Sequence, residues 1–162
     1  GAVLTDDKKI ANEIYFLSRV AKNSNKTFPG YEKVGFNYRM PALNASLGIA
    51  QMEKLRKILI KKKRLFNDYK DSFKKIKEIS LIDSPKNCKS NYWLNAIKFK
   101  KIKKNKFSNL IKFLKKNKVE VRPIWTPVNL GKFYKKYPKM NLKNAIKIYN
   151  KVLCIPSGVD IK

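Results

Sequence analysis

The chain has 162 residues, with 39 Lys+Arg against 11 Asp+Glu, no His and a formal net charge of +28. Hydrophobic residues make up 43%, enough for a core, so wholesale disorder is excluded, and no apolar run approaches the ~18 residues of a membrane span. The lack of imidazole excludes Ser-His triads, His-ligated metals and His general bases, and the two cysteines, Cys88 and Cys154, support neither a zinc knuckle nor a disulfide framework.

The first residues, Gly1-Ala2-Val3-Leu4-Thr5, form a small apolar run that predicts a strand. Thr5-Asp6-Asp7 follows as a helix cap, because a hydroxyl accepts a free backbone N–H and carboxylates suit the positive end of the helix dipole. Ile10, Ile14 and Leu17 recur at helical spacing. No charged n-region precedes an apolar h-region, so secretion has no support and a cytoplasmic protein is expected. A strand without a lead-in suggests a piece of a longer chain. Residues 19–41 lack sustained periodicity; Phe28-Pro29-Gly30-Tyr31 and Gly35 to Pro41 predict an ordered loop. A long helix begins at Ala42, with Ala45, Gly48, Met52, Leu55, Leu59, Phe66, Tyr69 and Phe73 at steps of three, four or seven. Its Lys61-Lys62-Lys63-Arg64 run reads as a solvated face.

The second half alternates element types. Strands are expected at Ile79–Ile82, Asn91–Phe99, Val119–Ile124 and Val152–Ile155, and helices around Phe107–Leu114 and after the cap Asn141. This pattern predicts an α/β class, with helices packed on a small sheet. The expected organisation is a first segment over 1–44, a connecting helix over 45–74 and a small C-terminal domain over 75–162.

A strongly basic chain invites a nucleic-acid reading, because lysine and arginine release counterions from phosphates. Here the charge is nearly all lysine, spread from Lys8 to Lys162, and the arginines are Arg19, Arg39, Arg56, Arg64 and Arg122. Bidentate readers of phosphate and bases favour arginine. A solvated lysine surface is therefore the simpler reading, with a basic nucleic-acid-binding α/β module as the alternative. Such a field also attracts anionic small molecules, nucleotide sugars among them.

The segment Gly35-Phe36-Asn37-Tyr38-Arg39-Met40-Pro41-Ala42-Leu43-Asn44-Ala45 resembles the G-Y-N-Y-R-M segment of the DegT/DnrJ/EryC1/StrS sugar aminotransferases. The resemblance extends both ways in order: Gly1 to Asp7 looks like the strand and turn after the family's lysine loop, and Gln51-Met52-Glu53-Lys54-Leu55 like the helix after the motif. Tyr92-Trp93 matches the start of the C-terminal domain, Arg122-Pro123-Ile124-Trp125 the R-P segment near the sugar site, and Leu153-Cys154-Ile155-Pro156-Ser157 the closing L-P-S strand. The R-P-I-W form is most similar to the branch acting on 4-keto-6-deoxy sugars in bacillosamine and legionaminic-acid pathways. The resemblance implies the aspartate-aminotransferase fold: the tail of a large domain (strand plus helix), a long connecting helix, and a small α/β domain with a mainly antiparallel sheet. It also implies amination of a nucleotide-linked keto sugar for polysaccharide or glycan biosynthesis, with pyridoxal 5'-phosphate as cofactor, glutamate as amino donor, and a homodimer.

In the family the motif loop crosses the dimer, and the matching Asn contacts the phosphate of the partner's cofactor. Carried over, Asn37 makes that contact and Arg39 is the second candidate, an amide and a guanidinium both rich in N–H donors. Lying two apart, they share a side of an extended segment. Arg122 is a candidate for a diphosphate or a sugar hydroxyl, with a surface arginine over the sheet edge explaining it equally well; Tyr31 and Trp125 are candidates for an aromatic wall, although such rings more often serve core packing. The family commonly has a His a few residues after R-P, where Asn129 stands, and Asn does not titrate. The Schiff-base lysine of the family lies upstream of the strand matched by Val3, and no lysine of this chain occupies its motif. The resemblance therefore implies no catalytic residue in this chain, which alone is expected to be inactive. No metal ligands are expected.

Overall fold

A computed structural model describes residues 1–23, 27–28 and 30–161; Pro29 of the expected loop lies outside them. The chain forms two compact units, Gly1–Glu53 and Lys54–Lys162.

In the first unit, α1 spans Lys8–Leu17. Its cap is Asp7, whose carboxylate accepts from the backbone N–H groups of Lys9 (2.7 Å) and Ile10 (3.2 Å), while the Thr5 hydroxyl accepts from Asp7 N–H one step earlier (3.1 Å). Residues 1–5 belong to neither sheet, so the expected first strand is not formed. A strand needs a neighbour for its ladder, and Val3 and Leu4 lie exposed with none beside them. After α1 the chain turns sharply, with Val20 and Ala21 in the left-handed region (φ 57° and 50°) and Ala21 fully buried. A two-stranded antiparallel hairpin follows, β1 (Lys22–Asn23) and β2 (Gly30–Tyr31), within the stretch expected as loop.

The helix expected from Ala42 is α2, Ala42–Phe73. Its residues from Lys54 onward belong to the second unit, where Phe66 is its buried side chain and Tyr69 and Phe73 pack on the core. These three fall at i, i+3 and i+7, one stripe of a helix.

The second unit is built on a four-stranded antiparallel sheet in the order β3-β4-β6-β5, from β3 (Ile79–Leu81), β4 (Asn95–Phe99), β5 (Arg122–Pro123) and β6 (Val152–Ile155). The register pairs Ile97 with Leu81 and Leu153, and Cys154 with Arg122. Two helices accompany it, α3 (Lys104–Lys116) and α4 (Lys143–Tyr149). Phe107, Leu110, Ile111 and Leu114 of α3 meet Ile97, Val121, Leu153 and Ile155 in one core. All four residues of β6 are buried, as the central position of that strand requires. Burying a Leu153-sized side chain contributes about 2 kcal/mol.

β3 ends one residue early, and two other strands are much shorter than the pattern predicts. Residues 91–94 form a turn: the Ser90 hydroxyl and Asn91 carboxamide accept from Tyr92 and Trp93 N–H (2.9 and 3.0 Å), and Tyr92 has φ 52°. Side-chain acceptors of this kind compete with a ladder for the backbone. At β5, Pro123 has no N–H to donate, and the strand is two residues at the sheet edge. Asn141 does accept from the start of α4, at Lys143 N–H (3.1 Å). Among the described residues no helix is long and apolar enough to cross a membrane, and no cluster suits a metal ion.

Candidate functional site

The first unit holds three of the proposed site residues. The motif segment is laid against the end of α1: Phe36 N–H donates to Leu17 O (2.7 Å), Tyr38 N–H to Ser18 O (3.0 Å), Arg39 N–H to Ser18 O (3.3 Å), and Val20 N–H returns to Phe36 O (3.1 Å). Asn37 bridges Arg19 across this junction. Gly35 makes it possible, since a Cβ there would stand 2.3 Å from both Ala21 N and Val20 C, far inside contact distance. The Phe36 and Tyr38 rings stack on one another, with centroids 5.2 Å apart and planes at 18°. That places residues 36 and 38 on one side of the extended segment and leaves Asn37 and Arg39 on the other. Both are exposed, and neither side chain has a hydrogen bond or ion pair among the described residues. Two adjacent donor groups are thus free to meet a ligand. Tyr31 stands apart from them on β2, opposite Lys22, and is exposed.

The second unit brings Arg122 and Trp125 into one cleft of about 920 Å³, shared with Trp93, Lys62, Lys118 and Glu120. Its floor is the end of β6 and the following turn. The Ser157 hydroxyl accepts from Asn95 N–H and donates to Ile155 O (both 2.8 Å), which stitches the start of β4 to the end of β6. Tyr69 of α2 donates its phenol to Pro156 O (3.0 Å), and burial raises its pKa above the ordinary phenol value. Trp93 and Trp125 lie side by side in the lining of the cleft, centroids 5.9 Å apart and planes at 32°, and stay largely exposed. Arg122 forms an ion pair with Glu120, both solvent-exposed. Such a pair contributes little to stability and leaves part of the guanidinium fork for a ligand. Cys154 lines the cleft as a buried thiol whose pKa burial raises. Asn129 lies on a 3-10 turn, its carboxamide oxygen buried without a partner among the described residues.

Two cleft residues escape a reading of the sequence. Trp93 is visible there only as part of a motif. Lys62 hides in the basic run read as a solvated face, yet it is half-buried, with Nζ donating to Trp93 O (3.0 Å) and Ser157 O (2.7 Å). Its neighbour Lys61 pairs with Asp160 (2.9 Å). Carbonyl partners so distant in sequence leave no local signal.

The family model for the DegT/DnrJ/EryC1/StrS aminotransferase family matches residues 1–162, the whole chain. The chain belongs to that family. It is 23% identical to EpsN of Bacillus subtilis (strain 168), over 99% of this chain and 42% of that protein. It is 24% identical to GDP-perosamine synthase of Escherichia coli O157:H7, over 86% of this chain and 37% of that enzyme. Among solved structures, Helicobacter pylori PseC, an aminotransferase involved in the biosynthesis of pseudoaminic acid, superposes with TM-score 0.84 at 17% identity, covering 98% of this chain and 43% of that one. Spr1654 of Streptococcus pneumoniae in its PLP form gives 0.83 at 18% identity, covering 100% and 42%. The fold is therefore that of part of these aminotransferases, and the chain spans less than half the length of the relatives it matches.

Proposed function

We propose that this chain is the C-terminal portion of a pyridoxal-phosphate-dependent aminotransferase that aminates a nucleotide-linked 4-keto-6-deoxy sugar for polysaccharide or glycan biosynthesis. What carries the reading is the family match over residues 1–162 together with the unpaired, adjacent Asn37 and Arg39 side chains on the family's motif segment. The donor set fits the cofactor's phosphate: an amide N–H and a guanidinium fork are suited to an anionic group. When bound, pyridoxal phosphate supplies the electron sink for moving an amino group. In this reading Asn37 and Arg39 reach the phosphate held by the partner protomer of a cytoplasmic homodimer and fix its orientation. Arg122 binds a substrate oxygen, Trp125 covers an apolar face of the substrate, and Tyr31 lines the approach. Glutamate is the proposed amino donor. Segments 1–44, 45–74 and 75–162 then act as large-domain tail, connecting helix and small domain. No lysine of this chain occupies the family's cofactor-bearing motif, so the chain alone is expected not to transaminate.

The test is amination of nucleotide-linked 4-keto-6-deoxy sugars, with glutamate as donor, by the enzyme that includes the lysine-bearing part, alongside this chain by itself. Activity in the former and none in the latter is expected. N37A and R39A should each weaken cofactor retention, read by the cofactor's absorbance after dialysis. Transamination by the chain alone, or full retention in the N37A/R39A double variant, overturns the reading.

A further inference from the structure

The cleft of the second unit carries more positive charge than its contacts neutralise. Of its charged residues, Glu120 is paired to Arg122, and the nearby Asp160 is paired to Lys61. Lys118 has no side-chain partner among the described residues, and Lys62 has two partners that are both neutral carbonyls. An ammonium has three N–H donors. Trp93 O and Ser157 O take two of them at Lys62, which leaves one donor and the full charge to the cleft that Lys62 lines. The same two bonds hold the ammonium still, so little side-chain entropy remains to be lost when a ligand is met. A half-buried, immobilised cation without a counter-ion is a site for an anion, and at this depth its field is less screened than at an open surface.

We propose that Lys62 is an anion-binding residue of this cleft and takes the diphosphate of a nucleotide substrate, donating its third N–H to a phosphate oxygen. The inference rests on the nucleotide-sugar reading above for the identity of the ligand, though the anion site itself does not. Lys118, which also lines the cleft, adds to the field. Trp93, whose carbonyl Lys62 holds, is kept beside Trp125, so phosphate binding and the aromatic wall share one anchor.

The test is calorimetric titration of the whole chain with UDP, inorganic pyrophosphate and uridine. The wild type is expected to bind UDP and pyrophosphate. K62Q, whose amide still has an N–H for the carbonyls, should lose about tenfold or more in affinity for both, as removal of a charge-assisted hydrogen bond requires, with its uridine affinity and near-ultraviolet tryptophan dichroism unchanged. K62R, which keeps the charge, should recover part of the loss. If K62M fails to fold, the K62Q and K62R pair still decides. Wild-type affinity in K62Q overturns the proposal, as does an equal fall for uridine, which marks Lys62 as a structural clasp only. A wild-type chain that binds neither UDP nor pyrophosphate overturns it too. If the complete enzyme still aminates nucleotide sugars, that outcome leaves the functional reading standing. Pyrophosphate binding that depends on Lys62, combined with no amination, sinks the functional reading and keeps the anion site.

Discussion

Replacing Gly35 with alanine isolates what the motif segment owes to one missing methyl group. The new Cβ would lie 2.3 Å from Ala21 N and Val20 C, where ordinary contact begins near 3.4 Å. Both are backbone atoms, so no side chain can swing aside, and the two segments must part by roughly 1 Å. The φ of Gly35 is not positive, so alanine meets no backbone penalty and the effect is purely steric. Parting by that distance stretches the bonds from Phe36 N–H to Leu17 O, Tyr38 N–H to Ser18 O and Val20 N–H to Phe36 O beyond useful length. At about 1 kcal/mol each, local stability falls by about 2–3 kcal/mol. Amide hydrogen exchange at Phe36 and Tyr38 should then be faster by roughly 30- to 150-fold, while the amides of Ile97 and Leu153 in the second unit keep their protection. On the proposed function, cofactor retention in the complete enzyme should fall with it, since Asn37 and Arg39 ride on this segment. Unchanged exchange at Phe36 in G35A would refute the argument.

Three further outcomes follow from the geometry. Asp83 has its carboxyl lowered below the ordinary carboxylate range, first by the Ser84 backbone N–H and then by Lys70. Its contribution is present above that range and is lost as pH falls through the lowered value, so acid unfolding of D83N should show a shallower pH dependence than wild type. Tyr69 has the opposite sign: its raised phenol favours the folded state until pH climbs past the ordinary tyrosine value near ~10, and Y69F should remove that alkaline loss at a cost of about 1 kcal/mol at neutral pH, measured by urea titration. Under native conditions a thiol reagent should label Cys88, which is exposed, and spare Cys154, which is buried with a raised pKa; equal labelling would contradict the central position of β6.

The helices were legible because their signals are local. The spacing from Ala45 to Phe73 predicted α2, and Phe107 to Leu114 predicted α3, since a 3.6-residue stripe is a property of consecutive residues. Val152–Ile155 was legible as a short apolar run closed by proline. The first strand was not formed because apolar residues alone do not supply a ladder, and residues 91–94 were lost to side-chain acceptors that the strand pattern does not register. At the candidate site, the motif singles out Asn37 and Arg39, and the alternation displayed by the stacked Phe36 and Tyr38 is consistent with their shared side. Lys62 carries no such signal, because its contacts exist only once carbonyls 31 and 95 residues away come to its Nζ.

The strand inside the second unit's sheet, β6, follows its three sheet partners in sequence. β6 separates β4 from β5, so the core around Ile97 and Val121 is complete only once residues 152–155 have joined the sheet. During synthesis the rest of this unit keeps apolar surface open until residues 152–155 have emerged and paired. Deleting residues 152–155 should therefore leave an aggregation-prone remnant with its keystone missing.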